Sequence, residues 1–175
     1  MPKALLVIDM LEDFVAEGGV LYIGAAASRV RQRVAERIEE ARQKDWPVIY
    51  ICDSHLPQDK EFEMFPPHSL KGEKGAGIVS EIAPLPQDRV ILKRRYSGFF
   101  GTDLDISLRE LEIDELELAG VCTNICVLYT AADARSRGYR VELYADAVAS
   151  FDEQVHQFAL QELEKTLGVK IFKRG

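Results

Sequence analysis

The stretch GVCTNICVL, residues 120–128, decides the fold that we predict for this chain. The apolar run before it, residues 116–119, is typical of a buried strand, and the Ala-rich run after it, residues 129–138, is typical of a helix that ends at Gly138. A strand, a Gly-led turn and a helix place Cys126 in the first turn of that helix. Free N–H groups and the positive end of the helix dipole there favour a thiolate and would hold an oxyanion. The alternative is that Cys126 is a small buried hydrophobe, as most free cysteines are.

The composition is that of an ordinary globular protein without a nucleic-acid or membrane surface. A chain of 175 residues is long enough for a sizeable core, and we predict a single domain over residues 1–175. The net charge of −7 argues against a nucleic-acid partner or an anionic membrane, and no apolar run approaches the ~20 residues of a membrane span. The N-terminus lacks a signal-peptide pattern, so we expect a cytoplasmic protein. Three cysteines do not suggest a disulfide framework.

Strand and helix patterns alternate along the chain. Apolar runs typical of strands occupy residues 5–8, 48–52, 90–92, 116–119, 140–144 and 169–172. Helix patterns occupy residues 26–44, 76–82, 103–111, 129–138 and 153–167. Loops are predicted for residues 10–19, 54–75 and 96–102. This alternation predicts an α/β domain with a mainly parallel sheet.

Reactive side chains follow four of the predicted strands. Asp9, Asp53 and Lys93 stand at the ends of the first three, and Cys126 lies just beyond the fourth. Ligands of open α/β sheets bind beyond the carboxyl ends of the strands, so we expect these side chains to converge. Asp9 would then take and return a proton, Lys93 would stabilise negative charge, and Cys126 would attack a carbonyl carbon. Taken singly, Asp9 is equally typical of a cap or turn, and Lys93 of a snorkelling surface residue.

The long loop that follows the second strand is rich in metal-ligand side chains. Asp53 and His55 are separated by one residue, and Glu61 and His68 lie further along. Two imidazoles with one or two carboxylates suit Zn²⁺, Mn²⁺ or Fe²⁺, with positions left for water or substrate. A loop of this length in a compact domain is usually functional or disordered. The alternative is a solvated loop of histidines and acids on an acidic protein.

Taken together, these segments resemble the isochorismatase-like cysteine hydrolases. The resemblance rests on VIDM at 7–10, LK at 92–93, YSGF at 96–99, GVCTNICV at 120–127, TA at 130–131 and DA at 133–134. It implies a Rossmann-like three-layer sandwich, in which a six-stranded, mainly parallel sheet has helices on both faces. It also implies a triad of Asp9, Lys93 and Cys126 and a cis peptide between Val121 and Cys122. The oxyanion hole would be formed by the backbone N–H groups of Cys122 and Cys126.

Within this family, the long loop resembles the metal loop of nicotinamidases. There an Asp-x-His sequence is followed by an aromatic-Pro-Pro-His sequence, here FPPH at residues 65–68, and some members have a Glu at the place of Glu61. The resemblance implies a divalent metal, Zn²⁺ in the first place and otherwise Mn²⁺ or Fe²⁺, whose ligands would be Asp53, His55, Glu61 and His68.

The same resemblance implies hydrolysis of nicotinamide to nicotinic acid and ammonia through a thioester on Cys126. The metal would bind the pyridine nitrogen, and the ring would contact Phe14, Phe65, Tyr96 and Val121. For the aromatic side chains, ordinary core packing is the alternative. We expect a homo-oligomer that acts on a small-molecule amide.

Other functions are compatible with the same residues. A related amidase would act on a carbamoyl or ureido compound, and such relatives generally lack the full metal set. A catalytically idle binding protein would keep the fold alone. A redox role for Cys122 and Cys126 is a further alternative, but their C-x-x-x-C spacing is not the usual dithiol motif.

Overall fold

A six-stranded parallel sheet forms the centre of the computed structural model, which describes residues 2–173. The strands are β1 Lys3–Ile8, β2 Val48–Asp53, β3 Arg89–Lys93, β4 Glu115–Val121, β5 Arg140–Ala149 and β6 Lys170–Phe172. They pair in parallel in the order β3-β2-β1-β4-β5-β6. Central strands of such a sheet are covered on both faces, which explains why β1 and β2 are continuous apolar runs.

Helices cover both faces of this sheet, so the predicted three-layer α/β fold is confirmed. They are α1 Glu12–Val15, α2 Ala26–Gln43, α3 Leu104–Glu110, α4 Leu128–Ser136 and α5 Glu153–Lys165. The buried side chains of α1 and α2 pack in the core of one face, and those of α3, α4 and α5 pack in the core of the other. Within residues 2–173, no helix is both long and apolar enough to cross a membrane.

One predicted helix and one predicted loop differ from the structure. The helix predicted for residues 76–82 is wrong, because the chain there forms two 3₁₀ turns, Lys74–Ala76 and Ser80–Ile82. Between them, Ile78 pairs with Leu11 in an antiparallel bridge, which an α-helix would not allow. The loop predicted for residues 10–19 contains the short helix α1.

Strand β5 is longer than its apolar run predicted. It continues through Asp146 to Ala149, and its register with β4 shifts between Leu118 and Gly120. Arg33 of α2 forms an ion pair with Asp146 at 2.8 Å, so the carboxylate is paired within the strand. The strand therefore continues past this charged residue and ends at Ala149.

The backbones of β1 and β4 approach each other closely at Gly120. Gly120 pairs with Ile8, has a φ of +120°, and a Cβ atom at this residue would lie 2.0 Å from the Ile8 carbonyl oxygen. The two backbones are therefore too close for residue 120 to carry a side chain.

We therefore expect Gly120→Ala to lower the free energy of unfolding by about 3 kcal/mol or more, because it adds a backbone clash to an unfavourable φ. Urea unfolding would measure the loss. Gly24→Ala is the matched control, because Gly24 also has a positive φ, +80°, but no atom within 4 Å of its Cβ position. Equal losses in the two variants would show that the contact with Ile8 does not matter.

Candidate active site

A carboxylate, an ammonium and a thiol meet at the carboxyl edge of the sheet. Asp9 directly follows β1, Lys93 is the last residue of β3, and Cys126 lies in a π-helical turn, Thr123–Val127, between β4 and α4. The Lys93 Nζ atom lies 3.0 Å from Asp9 Oδ2 and 3.3 Å from Cys126 Sγ. All three side chains are buried. The structure thus brings together the three residues of the predicted triad.

The charges of this triad place a proton on the thiol. Burial opposes the charge of Lys93, but the carboxylates of Asp53 and Asp9 outweigh it and raise the pKa of Lys93. Burial, together with the charge of Asp53, raises the pKa of Asp9 to about 6, although Lys93 opposes the shift. Burial and the neighbouring Asp9 raise the pKa of Cys126 well above its usual value. These surroundings therefore favour a thiol over a thiolate at Cys126.

This arrangement differs from the thiolate that the sequence predicted. Cys126 does not lie in the first turn of the helix, because the π-helical turn precedes α4. The side chain is instead enclosed beside the Asp9 carboxylate, whose charge disfavours a thiolate. Asp9 is the neighbouring carboxylate that could accept the thiol proton.

Asp53 connects this triad to the two histidines of the loop that follows β2, His55 and His68. Its Oδ1 atom accepts a hydrogen bond from Lys93, and its backbone N–H donates to Asp9 Oδ1 at 2.8 Å. Its Oδ2 atom lies 3.5 Å from His55 Nε2 and 3.7 Å from His68 Nε2. Burial alone would raise the pKa of Asp53, but the charge of Lys93 holds it well below its usual value. Asp53 therefore stays ionised between the ammonium and the imidazoles.

Both histidines of the loop direct their Nε2 atoms towards Asp53. His55 Nδ1 is bonded to Asp59 Oδ2 at 3.1 Å, and His68 Nδ1 to the Pro66 carbonyl oxygen at 2.8 Å. Each of these oxygens is an acceptor, so Nδ1 carries the hydrogen and, in a neutral ring, Nε2 has the free lone pair. Fixing Nδ1 in this way is how proteins prepare Nε2 as a metal ligand.

The donor set fits a divalent cation. One ligand atom each from Asp53, His55 and His68 lies within 4.8 Å of the others. Glu61 Oε2 lies 3.2 Å from His55 Nε2, and within the described chain both atoms are buried without a hydrogen-bond partner. Two facing electron pairs without a hydrogen between them are stabilised by a cation. Nitrogen and oxygen donors of this kind suit Zn²⁺, Mn²⁺ or Fe²⁺.

Asp59 is a site residue that the sequence analysis missed. Its fully buried side chain accepts hydrogen bonds from the Glu61 backbone N–H at 3.0 Å, from Arg94 at 3.2 Å and from Arg95 at 2.9 Å, besides its bond to His55. The carboxylate thereby fixes both His55 and Glu61. Its position as the N-cap of the 3₁₀ turn Lys60–Glu63 was the available signal, but that turn has no periodic pattern in the sequence.

A cleft that is partly open to solvent lies above Cys126. It is lined by Phe14, Leu21, Asp53, Glu61, Phe65, His68, Tyr96, Cys122, Ile125, Cys126 and Phe151. The thiol and three of the candidate metal ligands thus face one space, together with the three aromatic residues predicted to line it. The described lining includes no lysine or arginine.

Val121 does not line this cleft, although the sequence analysis predicted that it contacts substrate. Its side chain is fully buried in the core on the α2 face, because successive side chains of β4 alternate between the two faces. The peptide between Val121 and Cys122 is cis, as the family resemblance implied, and Cys122 is the residue that reaches the cleft. Leu21, Ile125 and Phe151 were missed as lining residues, because no sequence pattern brings these distant positions together.

A buried thiol with a carboxylate and an ammonium, at the carboxyl edge of a parallel sheet, defines the site of an α/β cysteine hydrolase. The family model of the isochorismatase domain matches residues 3–171, and the chain belongs to this family of hydrolases.

Solved structures show the same fold over nearly the whole chain. The pyrazinamidase/nicotinamidase of Streptococcus mutans UA159 is 39% identical, with a TM-score of 0.92 over 97% of this chain and 99% of its own. The N-carbamoylsarcosine amidase of Thermoplasma acidophilum is 37% identical, with a TM-score of 0.90 over 99% and 96%. The pyrazinamidase of Pyrococcus horikoshii, solved in complex with zinc, is 30% identical, with a TM-score of 0.92 over 99% and 100%.

Proposed function

We propose that this chain is a metal-containing nicotinamidase, which hydrolyses nicotinamide to nicotinic acid and ammonia. The observation that carries the proposal is the composition of the cleft. A thiol, candidate metal ligands and aromatic walls face one space, and the described residues that line it include no lysine or arginine. A neutral aromatic amide matches such walls. A carbamoyl or ureido acid would bring a carboxylate, which usually needs an arginine or lysine.

In the proposed reaction, Asp9 accepts and returns each proton that is transferred. The Asp9 carboxylate takes the thiol proton while Cys126 Sγ attacks the carboxamide carbon, and the C=O π electrons move to the oxygen. The backbone N–H groups of Cys122 and Cys126 hold that oxyanion. Lys93 keeps Asp9 in place by their 3.0 Å contact.

The tetrahedral intermediate then collapses to a thioester. The C–N bond breaks while Asp9 gives its proton to the departing nitrogen, which leaves as ammonia. Water, deprotonated by Asp9, attacks the thioester carbon, the C–S bond breaks, and the proton returns to Cys126. Nicotinic acid is released and the thiol is restored.

The proposed metal ligands are Asp53, His55, Glu61 and His68. When bound, the metal supplies a Lewis acid for the pyridine nitrogen, which would fix the orientation of the ring. Zinc is supported by the Pyrococcus horikoshii pyrazinamidase, and the donor set suits manganese and iron as well. Phe14 and Phe65 stand beside His68, with ring centroids 5.6 Å and 6.1 Å from the imidazole, as walls for the same ring.

Ammonia release by the purified protein tests this proposal. Nicotinamide would be compared with a panel of carbamoyl and ureido amides, with the metal content determined on the same sample. Release from nicotinamide by a metal-loaded protein is the expected result. Release from a carbamoyl or ureido compound alone would leave the triad in place and overturn the substrate, and no release from any amide would favour an idle binding protein.

A carbamoyl amidase is the second candidate, because the N-carbamoylsarcosine amidase is as similar to this chain as the pyrazinamidases are.

The proposal also includes a homo-oligomer in the cytoplasm. Analytical ultracentrifugation would measure its size.

Asp59→Asn should weaken metal binding by about 10- to 100-fold, because the amide lacks the charge that holds His55 Nδ1 and the arginines. Competition with a chromogenic chelator would measure the affinity. Asp114→Asn is the control, since Asp114 is exposed at the opposite end of the sheet, before β4. An unchanged affinity in Asp59→Asn would remove Asp59 from the support of the metal site.

A further inference from the structure

His156 is a buried histidine that neither the triad nor the metal cluster uses. It lies in the first turns of α5, and only 3% of it is exposed. Its Nδ1 atom lies 2.7 Å from Oγ1 of Thr123, which is itself fully buried. Thr123 is the first residue of the π-helical turn that carries Cys126. One buried hydrogen bond therefore connects α5 to the nucleophile turn.

A second connection reaches the same turn from the segment that precedes α5. The Ser150 hydroxyl donates to Asn124 Oδ1 at 2.5 Å. The side chains of Ser150 and His156 thus hold two consecutive residues, Asn124 and Thr123. These two residues lie between Cys122 and Cys126, whose backbone N–H groups form the proposed oxyanion hole.

We infer that His156 is a positioning residue that acts through Thr123 to hold the nucleophile turn in the geometry that receives the oxyanion. His156 is not among the described residues that line the cleft, so it does not touch substrate. The inference rests on the proposed function, because only a reaction with a tetrahedral intermediate requires an oxyanion hole.

The hydrogen bond anchors the turn at its first residue. Thr123 lies between the end of β4 at Val121 and the rest of the turn that carries Cys126. The π-helical turn is a rare backbone arrangement, held here by hydrogen bonds from the backbone N–H groups of Ile125 and Val127 to the Cys122 carbonyl oxygen at 3.0 Å and 3.2 Å. The bond between His156 and Thr123 thus fixes the residue at which this turn begins.

The test compares His156→Leu with His156→Asn. Leucine removes the partner of Thr123, whereas asparagine can place an amide group near the position of Nδ1. We expect His156→Leu to lower kcat for nicotinamide by about 10- to 100-fold, because small displacements of an oxyanion donor are costly, while KM changes by less than about threefold. Asparagine should recover most of the loss, which a merely space-filling role would not predict.

A tetrahedral mimic separates oxyanion binding from substrate binding. Pyridine-3-carboxaldehyde adds the Cys126 thiol across its carbonyl: a C–S bond forms, the C=O π bond breaks, and the thiol proton goes to the oxygen. His156→Leu should weaken this adduct by the same factor as kcat, with the affinity for nicotinic acid unchanged. Equal adduct affinity in His156→Leu and the wild type would overturn the inference.

Thr123→Val provides a second variant, in case His156→Leu does not fold. It replaces the hydroxyl with a methyl group of similar size, and should reproduce the loss of kcat and of adduct affinity. The double variant should lose no more than either single one, since both remove one interaction. Additive losses would contradict the connection. A wild-type protein inactive on every amide would defeat the proposed function, whereas an active wild type with fully active variants would defeat this inference alone.

Discussion

Cys126→Ala should lower the release of ammonia from nicotinamide by about 10⁴-fold or more, because no other group can form the thioester. The thiol is at the floor of the cleft, within hydrogen-bonding distance of Lys93 and beside Asp9. Alanine removes one sulfur atom from a side chain that is 6% exposed, so the fold should persist. The steady-state rate and the thermal unfolding midpoint, measured on one preparation, would check both expectations.

Cys52→Ala is the matched control for loss of a buried thiol. Cys52 lies in β2, is 3% exposed, and packs in the core on the α2 face. We expect this variant to lose stability to a similar degree and to keep its turnover within a fewfold of the wild type. Turnover retained in Cys126→Ala would mean that the nucleophile is misassigned. Loss of turnover in Cys52→Ala would point to a general sensitivity to core thiols.

The parts of the site that could be predicted are those that depend on topology. Because parallel strands present their carboxyl ends at one edge, the positions of Asp9, Asp53 and Lys93 followed from recognising apolar strands and the residues after them. The partners of the loop histidines depend instead on how residues 54–75 fold back. That path includes the bridge between His55 and Leu70, for which the sequence has no periodic signal.

The parts that could not be predicted depend on local backbone detail. One extra residue in a helical turn separates the π-helical turn from an ordinary helix start, and composition does not register it. The thiol pKa is likewise set by burial and by the charge of Asp9, rather than by the type of the neighbouring element. The sequence therefore predicted a thiolate at Cys126, whereas the buried surroundings of its side chain favour a thiol.

The Asp53 carboxylate contacts both the triad and the candidate metal site. Asp53 accepts from Lys93 through Oδ1 and faces both imidazoles through Oδ2. A change in the charge around His55 or His68 is therefore transmitted to the ammonium that contacts Asp9. This connection explains why a hydrolytic triad and a ring-binding metal would be built on adjacent strands, with β2 between β1 and β3.

Asp9→Asn should lower kcat for nicotinamide by about 10³-fold or more with little change in KM, because the amide cannot take the thiol proton or return it to the leaving nitrogen. Asp9 has a φ of +48°, a backbone region that asparagine tolerates well, so the substitution preserves the turn after β1. Lys93 keeps its contact with Asp53, so it remains charged without Asp9.

Asp45→Asn is the matched control for this change, since Asp45 also has a positive φ, +55°, and is exposed between α2 and β2. It should leave kcat unchanged. Burst and steady-state phases of ammonia release would show which half of the reaction fails. Because Asp9 must act in both thioester formation and its hydrolysis, Asp9→Asn should show neither a burst nor steady turnover. A burst of ammonia without turnover would restrict Asp9 to the hydrolytic half, and a kcat within tenfold of the wild type would assign the proton transfers to another group.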